Sequence, residues 1–273
     1  MPVRLSRRRL LAILGGAVAL GTALGSLKVF ELASHEVEQL RVEDELIRLP
    51  QPMTRGGLSV EEVIQRRRSR RDYADEPVLL GDISQLCWAA QGITEANGGL
   101  RAAPSAGASY PLELFVVVGK SDLEAGVYHY SSRGHMLERV KSGDHRKQLR
   151  EASLGQEWVE SGALDFVITA LYDRTMARYG ERGRDRYVPM EAGHVAENIY
   201  LQAESLGLGT VTIGAFTDDQ VREVISAPSQ YTPLYVMPVG HVERIYGSLE
   251  VSRLGLSLRA PFSLRTLATA SYT

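Results

Sequence analysis

Cysteine is almost absent from this chain: Cys87 is the sole thiol among 273 residues. One thiol cannot make an intrachain disulfide, a CxxC redox pair or a cysteine zinc site. Standing in the apolar run Leu86-Cys87-Trp88-Ala89-Ala90, it is expected to be a small core residue. An excess of one charge is missing too, with 31 Lys and Arg against 33 Asp and Glu and a net charge of -2. No global basic field attracts phosphate, so nucleic acid is not an expected partner.

Several nucleating motifs are also lacking. There is no Walker loop, and Gly207-Leu208-Gly209 followed by Gly214 does not have GxGxxG spacing, which argues against a Rossmann enzyme. HExxH and GxSxG are absent, so zinc-protease and α/β-hydrolase chemistry have no starting residues. Glu191-Ala192-Gly193-His194 has the E-x-x-H spacing of di-iron bundles, but such a site needs a second copy, and none occurs. No metal site is expected.

What is present is an ordinary globular composition, 44% hydrophobic and 23% charged, long enough for one principal core. The N-terminus departs from that average. Arg4, Arg7, Arg8 and Arg9 precede an uncharged stretch from Leu10 to Leu27, an export-signal layout. Ser6-Arg7-Arg8-Arg9-Leu10-Leu11 resembles a twin-arginine signal, which is read by a translocase that moves folded proteins. No clean A-x-A cleavage site follows, so an uncleaved membrane anchor is the alternative to a cleaved signal. Residues 1–30 are therefore assigned as signal or anchor, 31–55 as linker and 56–273 as the principal folded domain. The expected location is outside the cytoplasm or on the membrane.

Within the domain, Ser59-Val60-Glu61-Glu62 has capping-box spacing, and the helix it opens delivers the cluster Arg66-Arg67-Arg68-Ser69-Arg70-Arg71. Asp82 is expected to cap a second helix closed by Gly92. Leu112 to Val118 reads as a buried strand, and Val127 to Tyr130 with Met136 to Val140 as a β-hairpin. Asp144 to Leu154 looks helical, Phe166 to Tyr172 strand-like, and the longest helix runs from about Met190 to Leu206. Thr210 to Ile213 and Leu234 to Val239 are short strands, with a capping box at Thr217-Asp218-Asp219-Gln220 between them. Strands and helices mix without a βαβ rhythm, which predicts the α+β class.

Taken alone, the arginine cluster is either a solvated basic face or a phosphate clamp, since guanidinium forks hold a phosphate bidentately. Pro104-Ser105-Ala106-Gly107-Ala108-Ser109-Tyr110-Pro111 is either a turn before a strand or a loop whose small residues let the backbone approach a flat ring. With Gly209 to Phe216 and Pro238-Val239-Gly240-His241, these segments form four ordered motifs. Together they resemble the nitroreductase family over roughly Leu46 to Arg244.

The resemblance implies a mixed sheet flanked by helices, and a homodimer with FMN at the subunit interface. It places Arg67, Arg68, Ser69 and Arg71 on the flavin phosphate and ribityl chain. It places Pro104, Ser105, Ala106, Gly107 and Ala108 against the flavin from the partner subunit. Gly214 and Ala215 would lie near the flavin ring, and Gly240 and His241 near the phosphate. Many relatives carry a glutamate where Gly214 stands. Arg178-Tyr179-Gly180-Glu181-Arg182, followed by Arg186 to His194, is similar to the SagB-type dehydrogenase branch. Azoline-oxidising members of that branch carry Lys-Tyr where this chain has Arg178-Tyr179. Arginine keeps the charge without serving as a base near neutrality, which leaves the Tyr179 phenol as the proton-transfer candidate, or as a packed surface residue.

The expected activity is hydride transfer between a small organic substrate and FMN, with Tyr179 and Arg178 at the reacting centre. The alternatives are an NAD(P)H-dependent nitro or quinone reductase and a non-catalytic flavin-binding protein tethered to a membrane.

Overall fold

The computed structural model describes residues 46–242, and the expected N-terminal signal or anchor lies outside them. Seven strands form one sheet: β1 (Leu46–Arg48), β4 (Leu112–Val118), β5 (Gly126–Ser131), β6 (Met136–Ser142), β7 (Leu164–Ala170), β8 (Leu208–Thr210) and β9 (Thr232–His241). Their order is β1-β6-β5-β4-β7-β9-β8, and every pairing of these strands is antiparallel. A parallel bridge from Ser69 to Thr210 makes the sheet mixed at one edge. Two short strands, β2 (Ile93–Glu95) and β3 (Leu100–Arg101), form a separate ribbon.

Alternation along β4 divides the core. Leu112, Leu114, Val116 and Val118 face one buried cluster, and Phe115 and Val117 face another. Helices α2 (Leu80–Gln91) and α6 (Val188–Ser205) cover the first face through residues such as Ile83, Leu86, Val195 and Ile199. Helices α3 (Arg146–Ala152), α4 (Glu157–Ser161) and α7 (Asp218–Val224) cover the second through Leu149, Val159 and Val221. The sheet thus lies between two helical layers, the α+β arrangement expected from the sequence. Cys87 is 0% exposed in the first cluster, where burial pushes its thiol up and leaves it inert.

Local rules held where one side chain decides the outcome. The capping box of α1 (Val60–Arg66) is complete, with Ser59 accepting from Glu62 N–H at 3.2 Å and Glu62 accepting from Ser59 N–H at 2.9 Å. Helix α6 ends at Gly207, whose φ of 74° is the left-handed cap that glycine allows.

Tertiary partners changed three assignments. Helix α2 begins at Leu80, two residues before the expected cap Asp82, because Asp122 accepts from Leu80 N–H at 2.7 Å across the chain. Thr217 precedes α7 but its side chain caps nothing, so that box does not form. The stretch assigned as linker contributes to the fold as well: β1 pairs with β6, and both Met53 backbone groups bond the buried Gln85 amide.

Candidate functional site

Two clusters of the expected residues form in this fold, and both touch α6. The first joins chain segments far apart in sequence. Arg70 N–H donates to Thr210 O at 2.9 Å, and Ala74 N–H donates to His241 O at 2.8 Å. Tyr73 fills the space beside Gly240, where a β-carbon would stand 3.0 Å from it. The arginine segment is thereby stitched between β8 and the end of β9.

Tyr200 of α6 organises the side chains of this cluster. Its hydroxyl accepts from Thr212 N–H at 2.8 Å and meets Ser69 Oγ at 3.1 Å. Arg67 lies 5.1 Å from the Tyr200 ring centroid, and Arg71 lies 5.3 Å from that of Trp158. Such stacking fixes a guanidinium's plane while leaving its N–H edge free. Among the described residues the carboxylate that pairs with Arg67 is Glu197, at 3.9 Å and exposed, a weak compensation of its charge. Arg68 is not part of the group: it turns back to donate to Gln65 O and Arg67 O, closing the end of α1. Gly214 and Ala215 are exposed beyond β8, with Gln156 donating to Ala215 O at 2.9 Å.

The second cluster joins the small-residue loop to α5 (Asp173–Tyr179). Gly107 has φ 62°, and a β-carbon there would stand 2.7 Å from Tyr179 Oη and 2.9 Å from Arg178 Nη1. Ala108 and Tyr110 also have positive φ, 53° and 45°, a strained backbone of the kind that surrounding contacts must enforce. Those contacts are visible. Ser109 Oγ meets Thr175 Oγ1 at 2.8 Å, Ser105 Oγ accepts from Tyr110 N–H at 2.9 Å, and Arg174 donates to Tyr110 O at 3.0 Å. Tyr179 is held edge-on to Tyr187, with ring centroids 5.1 Å apart, while Arg178 lies over its ring at 5.4 Å.

Behind the loop sits Glu191, in the first turn of α6 and 2% exposed. Neither carboxyl oxygen has a hydrogen bond of good geometry among the described residues, although the Ser105 hydroxyl is near enough to favour the ionised form. Burial pushes the carboxyl up to about 7, opposed by the Ser105 hydroxyl and the Arg101 guanidinium. His194 is exposed although Glu191 is buried, so the two do not share a ligand environment. Among the described residues no three His, Cys, Asp or Glu side chains converge on a metal position. Glu191 and Tyr200 are nine residues apart, which separates the clusters by about 14 Å along α6 at about 1.5 Å per residue.

Residues 64–241 match the model of the nitroreductase family. The chain belongs to this family. It is 43% identical over 187 residues to a nitroreductase-family protein of Methanocaldococcus jannaschii, covering 67% of this chain and 91% of that one. It is 38% identical over 113 residues to the trifolitoxin-processing protein TfxB of Rhizobium leguminosarum bv. trifolii, covering 40% of this chain but only 30% of TfxB. A nitroreductase-family structure from Ralstonia eutropha JMP134 superposes with a TM-score of 0.64 at 30% identity, covering 72% of this chain and 90% of that one. Flavin reductases also stand among the proteins it matches. This nitroreductase-family chain is accordingly an oxidoreductase with a flavin as its cofactor.

The first cluster fits that cofactor. Arg70 Nε and Thr210 Oγ1 are buried without partners among the described residues, Thr210 being a member of the Ser69–Thr210 bridge and Arg70 the residue after Ser69. Unmet polar atoms beside two weakly compensated guanidiniums suit a phosphate and a polyol chain. Tyr200 carries no charge and stands in no motif, so nothing in the sequence marks it, and Thr210 is marked only as a member of the Gly209 to Phe216 segment. Glu113 did carry a signal, being the one charged residue in the apolar strand Leu112 to Val118.

Proposed function

We propose that this protein is an FMN-dependent oxidoreductase of the SagB-type branch, which transfers hydride between a small organic substrate and flavin and works as a homodimer. The observation that carries the proposal is the packing of Gly107 against the Tyr179 hydroxyl and the Arg178 guanidinium. It brings a proton-transfer group and a fixed cation to the loop that the family resemblance places on the flavin ring. Placement of the two clusters about 14 Å apart along α6 supports a site shared between subunits, with each protomer lending its loop to the other.

A bound flavin supplies the hydride chemistry. The chain's part is binding, orientation and proton handling. Arg67 and Arg71 hold the phosphate, and Ser69 orients the polyol through its contact with Tyr200. Tyr179 Oη would accept the proton that the substrate loses as a phenolate, and would return it as a phenol in the opposite direction. Arg178 stays cationic and orients the phenol. Ala106, Gly107 and Ala108 bring backbone close to the ring and exclude water from it.

The proposal includes export of the folded holoprotein, supported by the Ser6 to Leu11 motif: a flavin held without a covalent bond must be loaded before translocation. The FMN assignment is tested by the absorption spectrum of the purified protein and by mass analysis of the released cofactor. A second experiment separates the readings of activity. Anaerobic reduction by the organic substrate with no response to NADPH supports the dehydrogenase. Rapid reduction by NADPH overturns it in favour of a nitro or quinone reductase. Reduction by dithionite alone indicates a binding protein.

A further inference from the structure

A cavity of about 420 Å³ opens between the end of α2, strand β3, the start of β4 and the end of β5. That volume is within the usual range for small-molecule sites. Its charged wall consists of Arg101, Arg133, Arg174 and Glu113, three guanidiniums against one carboxylate. Glu113 is already engaged on both oxygens, by Arg174 Nη1 at 2.6 Å and by His129 Nε2 at 2.7 Å. The excess positive charge therefore resides on Arg101 and Arg133.

Arg101 is the better placed of the two. Its guanidinium lies 4.6 Å above the Tyr110 ring, and its Nη1 donates to Gln91 Oε1 at 2.8 Å. Glu113 and Glu191 both act on it through space, but neither forms an ion pair with it within 4.0 Å. Gln91 is 2% exposed. Because an arginine N–H must meet the amide oxygen, the orientation of this amide is fixed, and it is the NH₂ that remains. That nitrogen has no hydrogen-bond partner among the described residues. A buried donor left unmet costs free energy comparable to a lost hydrogen bond, and here it lies beside a guanidinium with no carboxylate of its own. Both needs are met by one ligand that is negatively charged and presents two oxygens in a plane.

We propose that this cavity is a binding site for a small organic carboxylate, with one oxygen accepting from Gln91 Nε2 and the other from the Arg101 guanidinium. The assignment does not depend on the flavin reading, since it rests on the donors of the wall alone. It does have a consequence for the loop. Tyr110 and Ser109 line the same cavity, and Tyr110 carries both the stacked Arg101 and a strained φ of 45°. Occupancy holds Tyr110 in place and so steadies the loop that packs Gly107 on Tyr179.

Titration calorimetry of the purified holoprotein with succinate tests the site, with succinamide as the uncharged counterpart and inorganic phosphate as the competing anion. Succinate should bind saturably at one site per chain, succinamide should not bind detectably, and phosphate should bind at least about tenfold more weakly. Gln91→Glu places a carboxylate against Arg101 from within and should weaken succinate roughly 10- to 100-fold. Arg101→Met should do the same, and the flavin absorption spectrum reports whether either variant has lost its fold. No succinate binding to the wild type overturns the proposal. Undiminished binding to a folded Gln91→Glu protein also overturns it, because the ligand then lies elsewhere. Phosphate binding as tight as succinate overturns the carboxylate assignment.

Discussion

Gly107 faces Tyr179 so closely that a β-carbon on the glycine would stand 2.7 Å from the phenolic oxygen. The contact needs the bare α-carbon and the left-handed backbone at once. Gly107→Ala should therefore push the loop away from Tyr179 as well as strain φ. We expect a loss of about 1 to 3 kcal/mol of stability, the usual scale for a residue forced into this region. The rate of flavin reduction should fall more than stability alone explains. Thermal denaturation followed at the flavin, alongside single-turnover reduction of the folded protein, separates the two effects.

Tyr179→Phe removes one oxygen and leaves the edge-on packing on Tyr187 intact. If the phenol moves the substrate proton, reduction should slow by about 10²- to 10⁴-fold with flavin content unchanged. Bleaching of the flavin band under anaerobic, substrate-saturated single turnover measures it. A rate within about threefold of wild type, well outside the range expected for a positioned acid or base, takes Tyr179 out of the chemistry.

Glu191 makes stability depend on pH. Its folded-state value of about 7 is above the ordinary 4.5, so the folded protein binds this proton more tightly than the unfolded chain does. Stability is then fullest below pH 4.5 for this group, falls as pH rises from 4.5 to 7, and stays lowered above that. Glu191→Gln keeps the shape and cannot ionise. It should match wild type near pH 4.5 and exceed it at pH 8 by about 1 to 3 kcal/mol. Urea denaturation at the two pH values checks this, and an equal effect at both removes ionisation as the cause.

Arg67→Ala removes one of the two guanidiniums proposed to hold the flavin phosphate. Flavin affinity should fall roughly 10- to 150-fold, as expected for about 1.5 to 3 kcal/mol of charge-assisted hydrogen bonding. The flavin-depleted protein should dimerise less tightly. Sedimentation at matched concentration, read at both protein and flavin wavelengths, tests the two halves together. Arg68→Ala is the control, because Arg68 closes α1 and should leave flavin affinity within about twofold, a change under 0.5 kcal/mol.

Replacing Arg7 and Arg8 with lysine should hold the folded, flavin-loaded protein in the cytoplasm. Cell fractionation of the double variant gives the answer, and unchanged export refutes the twin-arginine proposal.

Much of this protein was legible in its sequence, for reasons visible in particular residues. The Ser59 to Glu62 box formed because both of its hydrogen bonds are local. Leu112 to Val118 became a central strand because every position but Glu113 is apolar. Gly107 stood in a run of small residues that suits either a turn or a close approach, and the structure shows the close approach, to Tyr179 and Arg178. Asp82 and Thr217 failed as caps in different ways: Asp122, from far along the chain, takes the Leu80 N–H where α2 starts and leaves Asp82 inside the first turn, while the Thr217 side chain makes no capping hydrogen bond. Arg68 carried the charge of its neighbours, yet its direction was set by two carbonyls at the end of α1.

The sequence by itself determined most of the strands and helices and the capping box of α1, because periodicity and residue chemistry are local properties. Only the tertiary structure decided that Tyr200 would gather Ser69 and Thr212 around one hydroxyl. It alone decided that, among the described residues, Glu191 would lie buried without a hydrogen-bond partner and the Gln91 NH₂ would stay unmet beside Arg101. Burial and hydrogen-bond completion depend on which distant segments share a space, and spacing along the chain carries no record of that.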